Sequence, residues 1–369
     1  MKIINYLRHL NRKRNLATNT LKRNLHLYFQ SRKLAPEIKG SILPNHYKRI
    51  LFPFVNLGIG DAVCHTGLWQ RLKELGYRVQ IIAEKRNEFL FRNIDCIDEI
   101  YIVDTDRISD FKKVDTDIVI CMYSWMKRKQ YMEIQLLEKI HYHYAISVGG
   151  WIKKPFNVII ALPRKFHITT PQIIVLNHLG HTTCQLRYRI PTLRQSNEFI
   201  ESYLKNFSKK KIVVINPFAS VIERSMTHEQ IVTILSKLSF NKNIHFFVIG
   251  QQEKLKELNL KFENISLCFF NSLWDAVSLI KKSDLVISVD TSIVHIACAF
   301  KKKLIGIYYS ENIDYNPKLP GNFIFSPNTS NAQQIIFNNN QIPFDTETVI
   351  KKCLSNAPFS ENHQRYEAG

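Results

Sequence analysis

The sequence predicts an α/β protein of two Rossmann-like, doubly wound domains facing a cleft, preceded by a basic helical N-terminal arm. Short β-branched apolar runs alternate with helical periodicity twice along the chain, from Arg49 to Val148 and again from Lys211 to Tyr308, as the βαβ units of a parallel sheet do. With 369 residues and 45% hydrophobic content, the chain exceeds one ordinary domain and can bury two cores. Its formal charge of +20 is lopsided, because residues 1–50 hold twelve Lys/Arg against Glu37 alone.

Residues 1–47 form the arm. Ile3, Leu7 and Leu10 share one helical face, as do Leu21, Leu25 and Tyr28, and the surrounding cations suit either an anionic membrane surface or the protein's own exterior. Pro36 and Pro44 end it. The first domain, 48–195, opens with a strand at 50–55, a helix from Asp61 to Leu75 closed by Gly76, and strands at 78–83, 100–103 and 118–122. A helix at 130–140 and a strand at 144–148 follow. Residues 150–207 are less regular, with prolines at 155, 163, 171 and 191, and read as a strand or two, loops and a closing helix at 197–207. The second domain, 208–330, places strands at 212–215, 244–249, 265–269, 285–289 and 304–308, with helices at 227–239, 251–259, 273–282 and 292–300 between them. A tail, 331–369, carries a short helix near 346–354 that is expected to pack back on the first domain.

Several function classes are disfavoured. Seven cysteines, an odd number without a Cys-x-x-Cys pair, are neither a zinc module nor a disulfide framework, and point to a reducing compartment. No apolar run reaches the ~18 residues a membrane span needs, and Arg8, Arg12 and Arg14 interrupt any signal-peptide core. A nucleic-acid-binding role needs basic and aromatic residues interleaved along a face, whereas the chain from residue 51 onward carries only +9. The expected location is cytoplasmic and peripheral to a membrane.

The candidate chemistry sits at strand ends, where open parallel sheets bind ligands. Asn56-Leu-Gly-Ile-Gly-Asp61 follows the first strand, and Gly58 and Gly60 allow a tight turn; the third glycine of a dinucleotide fingerprint is missing. Asp61 serves there either as a helix N-cap, contributing about 1 kcal/mol, or as a general base. Arg224, just ahead of a helix, is either a phosphate partner or a solvated surface residue. Gly250-Gln-Gln-Glu253 brings hydrogen-bonding side chains to the next strand end. Asp284 to Phe300 is a buried strand turning into a helix through Asp290, Thr291 and Ser292, either an ordinary corner with one of the three as N-cap or a corner that binds an anionic or sugar-phosphate ligand. His295, one turn further, faces either the core or that ligand.

Together, Gly58-Ile-Gly-Asp61, Asn216-Pro-Phe-Ala-Ser220 with Arg224-Ser-Met-Thr227, and Val289-Asp-Thr-Ser-Ile-Val-His-Ile-Ala-Cys-Ala299 resemble glycosyltransferase family 9, the lipopolysaccharide heptosyltransferases with a two-domain GT-B fold. The resemblance covers roughly residues 48–330. It implies an inverting transfer of a heptose or related sugar from an ADP-heptose-type nucleotide sugar to a phosphorylated lipid A-core acceptor, without metal or other cofactor. It also implies Asp61 as catalytic base, Arg224 on the donor diphosphate, and Asp290, Thr291, Ser292 and His295 as the donor loop. Ser220 and Asn271 then fall near the phosphate and adenine, and Gln252 or Glu253 near the ribose. The family's loop usually reads Asp-Thr-Gly-Leu-Ser-His, so Ser292 and Val294 depart from it, as Arg224-Ser-Met-Thr227 departs from Lys-x-Trp-Pro. The departures leave two competitors: a transferase with another nucleotide sugar, and an inactive sugar-binding homologue.

Overall fold

The computed structural model describes residues 46–163, 165–183, 185–258, 260, 262–310, 321–338 and 344–356, together with Lys22. The basic arm, 1–47, therefore lies outside the described residues apart from Lys22, His46 and Tyr47. Among the described residues, 46–57, 68–163 and 170–183 form one compact unit, and 58–67, 165–169 and 185 onward form the other.

The first unit holds strands β1 (Arg49–Phe54), β2 (Arg78–Glu84), β3 (Glu99–Val103), β4 (Val114–Asp115), β5 (Ile118–Cys121), β6 (Ile140–His141), β7 (Tyr144–Val148) and β8 (Val158–Ile160). Six of them make a sheet in the order β3-β2-β1-β5-β7-β8, every pair parallel, while β4 and β6 pair separately. Its helices are α1 (Ile59–Glu74), which enters from the other unit after Gly67, the single turn α2 (Glu88–Phe91), α3 (Lys127–Leu137) and α4 (Thr169–His178). Trp69 of α1 is fully buried, its ring centroid 6.2 Å from Phe52 and 5.9 Å from both Phe54 and Phe91.

Pro53 stands inside the central strand β1, where a missing N–H ordinarily breaks a ladder. Pairing to β5 covers only Ile50 and Leu51, so Pro53 lies beyond that ladder. Its carbonyl instead accepts a 2.8 Å hydrogen bond from Lys129 Nζ of α3. Lys129 also donates to Glu133 at 2.6 Å, Ser124 Oγ donates to the same carboxylate at 2.7 Å, and neither charged side chain is exposed. A buried ion pair persists only when both desolvated charges are satisfied, as they are here.

The structure adds a helix to the stretch read as irregular. Thr169–His178 is α4, with Pro171 in its first turn, where a missing N–H costs no helical hydrogen bond. Its last residue, His178, meets the Tyr144 hydroxyl at 3.3 Å, and His181 meets that of Tyr77 at 3.0 Å.

The second unit repeats the topology. Strands β9 (Lys211–Asn216), β10 (Ile244–Ile249), β11 (Ile265–Cys268), β12 (Leu285–Val289), β13 (Lys303–Tyr309) and β14 (Ala332–Phe337) form a parallel sheet in the order β11-β10-β9-β12-β13-β14. Helices α5 (Arg194–Leu204), α6 (His228–Leu238), α7 (Gln252–Lys256), α8 (Leu273–Lys282), α9 (Ser292–Ala299), α10 (Gly321–Ile324) and α11 (Thr346–Leu354) accompany it. A capping box starts α6: Thr227 Oγ1 accepts from Gln230 N, and the Gln230 side chain accepts from Thr227 N.

The tail departs from expectation on two points. Ala332–Phe337, assigned to the tail, is the sixth strand of the second sheet. Helix α11, expected on the first domain, packs on the second unit's own core through Val349, Ile350 and Cys353, alongside Leu235 and Leu238 of α6. The Gln230 amide also donates to Phe344 O at 2.6 Å, tying α6 to the start of that segment.

Two histidines are carried buried in this core. His245 of β10 meets Ser266 Oγ at 2.8 Å, and burial lowers its pKa to about 4. His295 of α9 is 3% exposed between the rings of Tyr188 and Phe325, at centroid distances of 5.7 and 6.4 Å. Burial, with a smaller contribution from His167, lowers its pKa to about 3. The unfolded chain takes up these protons first, near pH 6.5. Stability is thus fully present above pH 6.5 and lost as the pH falls towards the folded values, with a slope of about 1.4 kcal/mol per pH unit for each group. Urea denaturation between pH 7 and 4 should therefore show a shallower pH slope for His295→Gln than for the wild type, by about one proton. Equal slopes would mean that His295 is not the neutral buried group described.

Candidate functional site

The order of the second sheet reverses between β9 and β12: the chain builds outward through β10 and β11, then crosses to β12, β13 and β14. Such a switch point leaves a crevice at the carboxyl ends of the strands. A cavity of about 560 Å³ opens there, and every residue lining it belongs to the second unit.

Asn216, the last residue of β9 and 4% exposed, organises the corner. Its Nδ2 donates to Ser288 Oγ at 3.0 Å and to Thr291 Oγ1 at 2.9 Å. Thr291 is the N-cap of α9, its Oγ1 accepting from Ile293 N at 3.3 Å. Asp290 N donates to Ile307 O at 3.0 Å, which anchors the turn to β13. The Asp290 side chain faces Arg224, whose Nη1 donates to its carboxylate and to its carbonyl, both at 3.2 Å. Both side chains are largely buried, at 16% and 13% exposure, and Arg224 Nη2 reaches Ser220 Oγ at 3.4 Å.

The opposite wall is the first turn of α1. A side chain on Gly60 would place its Cβ 3.3 Å from Ser292 Cα and from His295 Cδ2, so glycine permits this close crossing of α1 and α9. Asp61 is not the N-cap that its position suggests. It is the third residue of the helix, and its Oδ2 accepts a 2.8 Å bond from Gly58 N, as the acidic member of a capping box does. It is partly exposed and lines the cavity.

Nine of the sequence-predicted residues therefore share one cavity: Gly58, Gly60, Asp61, Ser220, Arg224, Asp290, Thr291, Ser292 and His295. Gln252, Glu253 and Asn271 do not line it. Gln252 Nε2 donates to Phe270 O and Asn271 Oδ1, each at 3.2 Å, and Glu253 is exposed. Their neighbours Gln251 and Lys254 line it instead. Phe325 was not singled out from sequence, and Phe218 and Gly250 stood there only inside longer motifs; Phe218 packs flush on Gly250, where a Cβ would lie 2.5 Å from its Cδ2. Two carboxylates, two cations and three hydroxyls around one crevice suit a polyhydroxylated anion. Among the described residues, no group of three His, Cys, Asp or Glu is arranged to hold a metal ion, and no helix is long and apolar enough to cross a membrane.

Comparison with known proteins bears on this geometry. The chain is 24% identical over 353 residues to an Escherichia coli (strain K12) protein provisionally named lipopolysaccharide heptosyltransferase 4, covering 92% of this chain and 94% of that one. Its fold resembles that of a glycosyl transferase family 9 protein from Veillonella parvula DSM 2008, with a TM-score of 0.63, 15% identity, and 88% and 94% of the two chains covered. It also resembles E. coli heptosyltransferase WaaC, solved with ADP, with a TM-score of 0.64, 13% identity, and 84% and 100% covered. The family profile described as Glycosyltransferase family 9 (heptosyltransferase) matches residues 167–353, half of the chain, and the protein belongs to that family.

Proposed function

We propose that this glycosyltransferase moves a heptose, or a closely related sugar, from an ADP-sugar to a phosphorylated lipid A-core acceptor with inversion at the anomeric carbon. The observation that carries the reading is that Asp61 lines the same cavity as the Asp290–Ser292 turn and Arg224. In this reaction the Asp61 carboxylate takes the proton of an acceptor hydroxyl, and the hydroxyl oxygen forms the new bond to the anomeric carbon. The bond from that carbon to the diphosphate breaks on the opposite face, and ADP departs with the bonding electrons. Asp290 orients sugar hydroxyls, Thr291 and Ser292 offer hydroxyl and backbone donors, and His295 supports the loop. Cationic side chains at the cavity stabilise the leaving diphosphate, which makes a metal dispensable. The ADP in the related heptosyltransferase complex supports the choice of nucleotide. The excess of cations in residues 1–50 supports a peripheral site of action on an anionic membrane face, where such an acceptor resides.

Asp61→Asn should lower transfer about 10²–10⁴-fold, read as ADP release with a lipooligosaccharide acceptor, while ADP affinity by calorimetry stays within a few-fold. Parallel loss of both would assign Asp61 to structure. Wild-type transfer should continue in excess EDTA, and its collapse would reinstate a metal. Deleting residues 1–40 should weaken co-sedimentation with anionic vesicles in a salt-sensitive manner; unchanged pelleting would remove the membrane role of the arm.

A further inference from the structure

Building on the ADP-sugar reading above, we propose that Lys254, rather than Arg224, supplies the uncompensated positive charge that holds the donor's diphosphate. Both cations line the cavity. Arg224 is already committed: two of its hydrogen bonds go to Asp290, at 3.2 Å to the carboxylate and 3.2 Å to the carbonyl, and the pair carries no net charge. An arriving diphosphate would meet that pair as a dipole. Lys254 differs. Its Nζ donates to Ala219 O at 3.0 Å and sits 5.6 Å from the centroid of the Phe218 ring. Among the described residues no carboxylate lies within ion-pair reach of it. One neutral carbonyl leaves an ammonium, with three donors, both charge and hydrogen bonds to give.

The placement is built by its neighbours. Gly250 directly follows β10, and only a residue without Cβ lets the Phe218 ring lie against it. That ring in turn lies beneath the ammonium, a cation–π contact that orients the charge without neutralising it. The same ammonium pins the Ala219 carbonyl, while the N–H of Ala219 donates to Ser225 Oγ at 2.9 Å. A purely structural lysine would act only through that loop, which separates the two roles experimentally.

The test compares wild type, Lys254→Met and Lys254→Arg by calorimetry with ADP, adenosine and inorganic pyrophosphate over a range of salt. Lys254→Met should lose about 10–100-fold in ADP affinity, the scale of a charge-assisted hydrogen bond. Adenosine affinity should change less than about threefold, pyrophosphate binding should weaken in parallel with ADP, and Lys254→Arg should recover most of the loss. The salt dependence of ADP binding should flatten in Lys254→Met. Unchanged ADP affinity, or an equal loss with ADP and adenosine, would overturn the assignment while leaving the donor reading intact. A wild-type protein that binds none of ADP, GDP or UDP would overturn the donor reading and this assignment together.

Discussion

Asn216 is the residue on which the second unit's chain path and its chemistry both depend. A carboxamide at the end of β9 offers two hydrogens on one nitrogen, and here they bridge two hydroxyls of the neighbouring β12 corner, Ser288 and Thr291. Holding Thr291 holds the cap of α9, and the cap decides where that helix starts. The start of α9 sets Ser292 against Gly60, and through that crossing the first turn of α1, which bears Asp61. An aspartate at 216 would lack the donors for this bridge, because an ionised carboxylate only accepts. The order of dependence thus runs from one buried amide to a carboxylate on another helix.

Electrostatics in the cavity combine one paired cation, Arg224, with one facing a neutral carbonyl, Lys254. Arg224 and Asp290 neutralise each other in a largely buried setting, and each leaves the other less free to respond to a ligand. The paired charges then lie at the α9 corner of the cavity and the Lys254 ammonium at its α7 end. Burial of His295 as a neutral ring keeps a third cation out of this balance at ordinary pH.

Much of this was legible in the sequence, for reasons particular to each segment. Leu285–Val289 is a β-branched run and Ser292–Ala299 carries helical spacing, so the corner between them announced itself. Gly60 was legible as a turn residue, yet its decisive contact is with Ser292 and His295, far along the chain and invisible to local pattern. Gln252 and Glu253, singled out from the sequence after β10, fall outside the cavity lining while Gln251 and Lys254 belong to it, because a five-residue helix offers too little periodicity to fix which side chains face the crevice. Lys254 looked like any charged residue on a surface helix, and α4 was hidden by Thr, Pro and His residues that usually mark loops. The Ala332–Phe337 strand contains two glutamines and so lacked the apolar run of a buried strand, as suits the edge of its sheet.

The two sheets share one strand order, so each has a reversal point where a nucleotide would ordinarily lie. At the reversal between β1 and β5, however, Lys129 reaches the carbonyl of Pro53 and Glu133 receives Ser124, both charges fully enclosed. Beside the first sheet's reversal lies a buried ion pair, whereas the second opens onto a cavity. A duplicated architecture is in this way asymmetric: one half of the repeat turns polar groups inward on an internal salt, and the other presents them to a cavity.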